Sequence, residues 1–501
     1  MRRFHPLITG TLLLTAVGFF CRILGFFYRI FLSRTIGAEG LGLYQMIFPI
    51  HGIAFALCAG PIQTSLSRLT AASPEKGRAF LRVSLALSLS IALQLTSLIY
   101  TFADFLAARV LLAPECAPLL PALALSIPFC AIHACCCGYY YGLKKTAVPA
   151  FSQVVEQCIR IFSVLLIVHV CRTNRIPITV LLAVWGLLIG EAASAVFCLL
   201  VYGCSKSVAI LPNANTPITP LLLPLLTMAL PLMANRLTLS FLQSLEAIFV
   251  PNQLLLSGLS RVESVSIYGV LTGMALPFVL FPSAITNSLA VVLLPAVSEA
   301  QAQNQPDKIE RTISMALRYS LYMGILCVGL FTRFGPALGE TFYHNADAGR
   351  FIQILSWLCP FLYLATSSGS ILNGLGKTKL TFFHHLVSLL IRIAFVWFGI
   401  PEFGIRACLW GMLASEMLLA LLHILALRRS VSYDWNVWTF IGKPVFCLLC
   451  ALWIFRLFPE ELPIPAGFPD FFRTAAQVLI LSTVYLLFLL FFHRKQDQIT
   501  S

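Results

Sequence analysis

The chain has 501 residues, 59% of them hydrophobic and only 11% charged, with a formal net charge of +14. A soluble globule carries about one quarter charged residues, so a water-soluble fold is excluded and most of the chain is expected in lipid. Apolar runs of about 20 to 30 residues, without the alternation of an outer-membrane barrel, fit helices that cross a hydrocarbon core about 30 Å thick.

Met1-Arg2-Arg3-Phe4-His5 precedes the first apolar run, which continues through Arg22 and Arg29 to Arg34. No small-residue cleavage site closes it, so it reads as a retained first helix rather than a signal peptide. Hydropathy then predicts spans near residues 6–33, 41–70, 79–107, 117–142, 149–171, 177–203, 219–250, 265–298, 310–334, 350–375, 379–400, 404–427, 436–458 and 470–492. Pro49, Pro61, Pro231, Pro277 and Pro282 interrupt the second, seventh and eighth of these. Alternate loops carry about 19 Lys and Arg on the side of the termini and about 10 on the other, which predicts cytoplasmic termini. Acidic residues favour the opposite side, so the excess positive charge is mostly cytoplasmic. Anionic lipid accounts for it without any nucleic acid.

Two stretches echo each other. Gly142-Leu143-Lys144-Lys145-Thr146 is followed by Arg160, and Gly374-Leu375-Gly376-Lys377-Thr378 is followed at the same distance by Arg392. Trp185-Gly186 with Glu191 likewise returns as Trp410-Gly411 with Glu416. The expected fold is therefore an all-α membrane protein of about 14 transmembrane helices: two parallel six-helix repeats around a central cavity, plus two C-terminal helices. The expected boundaries are 1–204 for the first lobe, 205–218 for a cytoplasmic linker, 219–429 for the second lobe, and 430–501 for the extra helices and tail. No G-x-x-x-x-G-K-[ST] motif is present, so ATP is not expected as the direct energy source.

Nine ionisable residues lie well inside spans: Arg22, Arg29, Glu156, Arg160, Glu191, Arg236, Glu246, Arg392 and Glu416. Each would cost about 2.5–3.5 kcal/mol facing lipid at mid-helix, so they must pair or face a wet cavity. Arg22 and Arg29 are two helical turns apart and share a face suited to a pyrophosphate or carboxylate. Arg236, Ser240 and Gln243 share a face of the seventh span, with Glu246 beside it, and the two helices are the expected cavity walls. The plainer reading of Arg22 and Arg29 is that they snorkel to an interface or pair with a glutamate on another helix. Glu156 and Arg160 form an i,i+4 pair. Ser388 stands where a second Glu156 would be, so an Arg-to-Glu clamp within each half, Arg160 to Glu191 and Arg392 to Glu416, is expected to serve the scaffold or coupling.

His51, His133, His169 and His423 read as isolated core residues. The sixteen cysteines read as small buried hydrophobes, because Cys135, Cys136 and Cys137 point in different directions and Cys447 with Cys450 has no second pair nearby. No metal or cofactor is expected.

Gly10-Thr11-Leu12, Arg22-Ile23-Leu24-Gly25-Phe26, Arg29 and Ile36-Gly37-Ala38-Glu39-Gly40-Leu41-Gly42-Leu43-Tyr44 resemble the opening of the stage V sporulation protein B-like polysaccharide exporters, relatives of the lipid II flippase. Gly138-Tyr139-Tyr140-Tyr141-Gly142-Leu143-Lys144-Lys145, then Ser152-Gln153-Val154-Val155-Glu156-Gln157 and Arg160, resemble the same group's loop and fifth helix. The resemblance places the chain in the multidrug/oligosaccharidyl-lipid/polysaccharide exporter superfamily. It implies a V-shaped pair of lobes around an alternately opening cavity, in a bacterial cytoplasmic membrane, with an undecaprenyl pyrophosphate-linked saccharide as cargo in cell-wall or spore-cortex synthesis. Arg22 and Gly25 match an arginine and a glycine on the flippase's first helix. Where the flippase has further arginines on its second helix, this chain has Ile53, Ala54 and Phe55, and Ala59 stands where it has an acid. On this reading Arg22, Arg29 and Arg236 attract the pyrophosphate, the saccharide crosses the cavity, the tail stays in lipid, and the membrane potential or a coupling ion drives the cycle. The alternatives are a multidrug or cation antiporter using Glu156, Glu191, Glu246 or Glu416, and a membrane-embedded transferase. The transferase is disfavoured because no paired loop carboxylates appear, so no enzyme is expected.

Overall fold

The computed structural model describes residues 6–204, 219–431, 433, 435–457 and 470–500, and these contain no strand. The expected linker at 205–218 lies outside the described residues. Two compact units are present, Met1–Gly269 and Val270–Ser501. The first holds α1 (Pro6–Met46), α2 (Phe48–Cys58), α3 (Gly60–Ala72), α4 (Gly77–Thr101), α5 (Ala103–Phe105), α6 (Leu120–Gly142), α7 (Ala147–Thr173), α8 (Leu181–Cys204), α9 (Thr219–Leu256) and α10 (Arg261–Gly269). The second holds α11 (Leu276–Leu280), α12 (Ser283–Ala302), α13 (Pro306–Tyr343), α14 (Ala346–Leu355), α15 (Cys359–Gly374), α16 (Thr378–Ala394), α17 (Ile400–Phe403), α18 (Ile405–Arg428), α19 (Lys443–Leu457) and α20 (Asp470–Thr500).

Among the described residues, 14 helical stretches are long and apolar enough to cross a membrane, as composition required. Their division joins the first two expected spans without removing a crossing, and splits the eighth. Leu13–Ala72 is one helical run of 60 residues. At about 1.5 Å per residue it would extend roughly 90 Å, about twice a bilayer with its headgroups, so it must cross twice. It turns where Gly37 adopts φ 72 and ψ −175, a conformation that a Cβ would strain. The span expected at 265–298 is instead two stretches, Arg261–Leu280 and Ser283–Ala302. The prolines explain most of the breaks, since a ring without an N–H is best accommodated in a first turn, although Pro128, Pro295 and Pro336 lie inside α6, α12 and α13. Pro49, Pro61 and Pro277 sit in the first turns of α2, α3 and α11, and Pro282 immediately precedes α12. Pro231 likewise lies inside an α9 that runs on past it.

In the first unit α6 packs on α3, α4 and α8, α7 packs on α8, and α9 lies against α2 and α3. Ile62, Leu66, Leu81 and Leu225 form its fully buried apolar centre. The part of α1 after Gly37 runs against α10 with backbone nearly touching backbone: a Cβ on Gly42 would strike the Val265 carbonyl, and one on Gly269 the Ala38 carbonyl. In lipid, where apolar burial gives little drive between helices, such close approach supplies the dispersion contact that holds them. The sequence boundary near 205–218 follows the internal echo, whereas the compact unit extends to Gly269 because α9 and α10 pack on α1, α2 and α3.

In the second unit α15 packs on α12, α13 and α18, while α16 packs on α18. These are the counterparts of the α6, α7 and α8 contacts in the first unit. Ile313, Leu317, Leu372 and Leu427 are its fully buried core, and α20 lies against α13 and α19. The turn after α13 is fixed locally: His344 takes the left-handed conformation, and the Asn345 side chain accepts from the Ala348 amide at 2.8 Å to cap α14.

Candidate functional site

Two polar surfaces occupy the first unit. On α1, Arg22 and Arg29 are both exposed at the protein surface, although the helix is apolar enough to cross lipid. Gly25 lies between them, where an added Cβ would come within 3.4 Å of Gln157 Nε2, so this face of α1 abuts α7. On α9, Arg236 and Gln243 are exposed and Glu246 is partly buried. Ser244 lies where α9 meets α2: its hydroxyl donates to the Ser240 carbonyl of its own helix at 2.7 Å, and the Pro49 carbonyl is the alternative acceptor at 3.4 Å. The Arg236 guanidinium lies 5.8 Å above the ring of Phe55. Phe55 falls in the stretch where the resemblance led one to look for arginine, so an aromatic face there holds a cation supplied by α9.

The second polar surface is a buried cluster among α6, α7 and α8. Arg160 bonds Glu156 one turn before it and reaches Glu191 at 3.9 Å. His133 of α6, read from sequence as isolated, lies between helices: its Nδ1 is 3.9 Å from Glu156 and 3.8 Å from Glu191, and its Nε2 is 2.9 Å from the Ser152 hydroxyl. Cys137 follows one turn after His133, with its sulfur 3.7 Å from the same hydroxyl. Cys198 of α8 joins them, packed with Cys136 and Cys137. A donor atom from each of His133, Cys137 and Cys198 falls within 4.8 Å of the others, and the same holds for His133, Glu156 and Glu191.

The second unit places a simpler pair at the corresponding helices. Arg392 of α16 meets Glu416 of α18 at 2.7 Å and donates through Nε to the Ser415 hydroxyl at 2.9 Å. Ser388, which replaces the first acid of the other copy, donates to the Ser415 carbonyl at 2.9 Å. Three imidazoles gather about two turns along the same helices: the His384 and His423 rings are 5.2 Å apart, and His385 is 5.7 Å from His423. The structure thus brings Arg160 to Glu156 and Glu191, and Arg392 to Glu416, while Arg22 and Arg29 lie on α1.

A further feature was not read from sequence. An apolar groove of about 940 Å³ runs among α13, α15, α19 and α20, lined by Ile325, Trp357, Phe361, Leu448 and Phe455, with Thr332, Arg333, Arg456 and Gln477 as its polar groups. Hydropathy cannot separate helix faces that line a groove from faces that meet lipid, because both are apolar.

A family model described as polysaccharide biosynthesis protein matches residues 7–301, and one described as MatE matches residues 231–398. Stage V sporulation protein B of Bacillus subtilis (strain 168) is 26% identical to this chain, over 98% of it and 96% of the relative. Lipid II flippase MurJ of the same organism is 21% identical over 86% of this chain and 84% of its own. The solved structure of lipid II flippase MurJ in an inward closed conformation superposes with a TM-score of 0.75 at 17% identity, covering 97% of this chain and 100% of that one. At that identity the likeness is one of fold.

Proposed function

We propose, for a chain that belongs to the polysaccharide biosynthesis protein family, that it is a multi-pass membrane flippase. Its cargo on this reading is an undecaprenyl pyrophosphate-linked peptidoglycan or polysaccharide precursor, moved outward across the bacterial cytoplasmic membrane by alternating access. The observation that carries this reading is the set of exposed arginines, Arg22 and Arg29 on α1 and Arg236 on α9, within helices whose composition commits them to lipid. A guanidinium costs several kcal/mol in such a setting unless water, an anion or a protein partner reaches it. Its planar fork of N–H donors matches phosphate oxygens bidentately. Gln243 and Glu246 add hydrogen-bonding capacity for the saccharide on the same helix as Arg236.

The groove in the second unit supports an amphiphilic cargo. Its apolar walls offer part of an isoprenoid chain a place to lie beside the bundle, so the tail need not be solvated by lipid along its whole length. The Arg–Glu clamps belong to the scaffold or to coupling, the repeats divide at 1–204 and 219–429, and both termini are cytoplasmic.

The test is transport in reconstituted vesicles with defined undecaprenyl pyrophosphate-linked saccharides, with and without a membrane potential. Arg22→Ala combined with Arg29→Ala is expected to reduce transport to background while the yield of folded protein is unchanged. Undiminished transport would remove the pyrophosphate role. A second reading, multidrug or cation antiport, is favoured by the MatE match at residues 231–398. Broad drug resistance on overexpression, abolished by Glu246→Gln, would support that reading against the flippase.

A further inference from the structure

His133, Cys137 and Cys198 converge from α6 and α8, although no two of them are neighbours in sequence. We infer that they form a binding site for a thiophilic divalent cation of the zinc type, a site that goes beyond the flippase reading and does not depend on the cargo. The ligand set comes first. One imidazole and two thiolates are what zinc and cadmium select, and three protein ligands leave a fourth position open. Here that position borders the Ser152 hydroxyl, which is 2.9 Å from His133 Nε2 and 3.7 Å from Cys137 Sγ. Cys137 is 4% exposed and Cys198 fully buried, so the sulfurs are held among packed helices rather than at a surface.

The second observation is independent of the sulfurs. Glu191 is 7% exposed, and its Oε2 has no hydrogen-bond partner, yet it points at His133 Nδ1 across 3.8 Å. A carboxylate behind the far nitrogen of an imidazole is the arrangement that fixes the tautomer of a metal-bound histidine and raises its basicity. The orphaned oxygen is then the outer group of a ligand whose inner nitrogen faces the thiols.

Charge decides between this site and the neighbouring set of His133, Glu156 and Glu191. A hard cation placed among those carboxylates would meet the Arg160 guanidinium, which already bonds Glu156 and lies 3.9 Å from Glu191. A dication bound by two cysteines adds no net charge, because each thiol releases one proton as its sulfur becomes a ligand. Such a site is tolerable in a membrane-embedded bundle, where an uncompensated ion is not. Occupied, it ties α6 to α8.

The full-length protein, purified in detergent and stripped with chelator, is to be equilibrated with Zn2+, desalted and assayed for bound metal. One zinc per chain is expected. X-ray absorption of the wild-type protein should show two sulfurs at about 2.3 Å and a nitrogen at about 2.0 Å. Cys137→Ser with Cys198→Ser should abolish retention, whereas Cys158→Ser at an exposed cysteine should keep it. Glu191→Gln should weaken affinity about 10- to 100-fold. No zinc retained by the wild-type chain, or an absorption shell of oxygen and nitrogen alone, overturns the site. The spectroscopic arm needs no variant, so a misfolded cysteine mutant cannot obscure the answer.

Discussion

In the unit up to Gly269, Arg160 divides itself between Glu156 and Glu191, whereas in the unit from Val270 onward Arg392 meets Glu416 at 2.7 Å with Ser415 beside it. The register that aligns Arg160 with Arg392 also aligns Glu156 with Ser388, His133 with Ala365, Cys137 with Gly369 and Ser152 with His384. The register that aligns Glu191 with Glu416 aligns Cys198 with His423. The same location is thus polar in both repeats but filled in opposite ways. The first copy puts its imidazole on α6 and a thiol on α8. The second puts its imidazoles on α16 and α18, with His423 Nδ1 3.2 Å from the Ala365 carbonyl and Gly369 leaving the room they need. A shared arginine leaves donor atoms over for another partner, and an arginine with its own acid leaves a closed pair.

Glu416→Gln is the sharpest way to break this comparison. It removes the acid bonded to a half-buried arginine, and breaking such a pair costs about 3–5 kcal/mol. Thermal unfolding in detergent should register the loss, and a change under 1 kcal/mol would mean that Arg392 does not rely on Glu416. Glu156→Gln should cost less, about 1.5–3 kcal/mol for a hydrogen bond to a charged group, because Glu191 remains near Arg160. If the two substitutions prove equally costly, the idea of a shared arginine fails. The smallest effect is expected at Gly369→Ala. Its Cβ would come 3.0 Å from His423 Cε1, so crowding offsets the roughly 1 kcal/mol that alanine gains in a helix. The gain should appear once His423→Ala empties the space, and a double-mutant cycle measures it.

Hydropathy alone carried the spans and the all-helical class, because lipid permits little else to an apolar chain of this length. It placed the break between residues 33 and 41 that Gly37 makes, and divided the segments wrongly only at Phe281-Pro282, where one missing N–H decides and the apolar pattern runs on unbroken. The i,i+4 relation of Glu156 and Arg160 was legible locally. The meeting of His133 with Glu191, and of Cys137 with Cys198, was not, since it depends on which faces of α6 and α8 turn together. A signal did exist in the repeat register, where Cys198 aligns with His423: a thiol opposite an imidazole marks a polar position that composition reads as apolar filler.

Arg236 stands apart from both clamps, because among the described residues its guanidinium rests on the Phe55 ring rather than on a carboxylate. An arginine already bound to an acid must exchange one anion for another when a phosphate arrives, and the released acid then repels the newcomer. A guanidinium shielded on one face by an aromatic ring keeps its in-plane donors at the edge and has no counter-charge to displace. Capture at α9 then needs no prior release, and the ring keeps the cation parked in the same place after the anion has left.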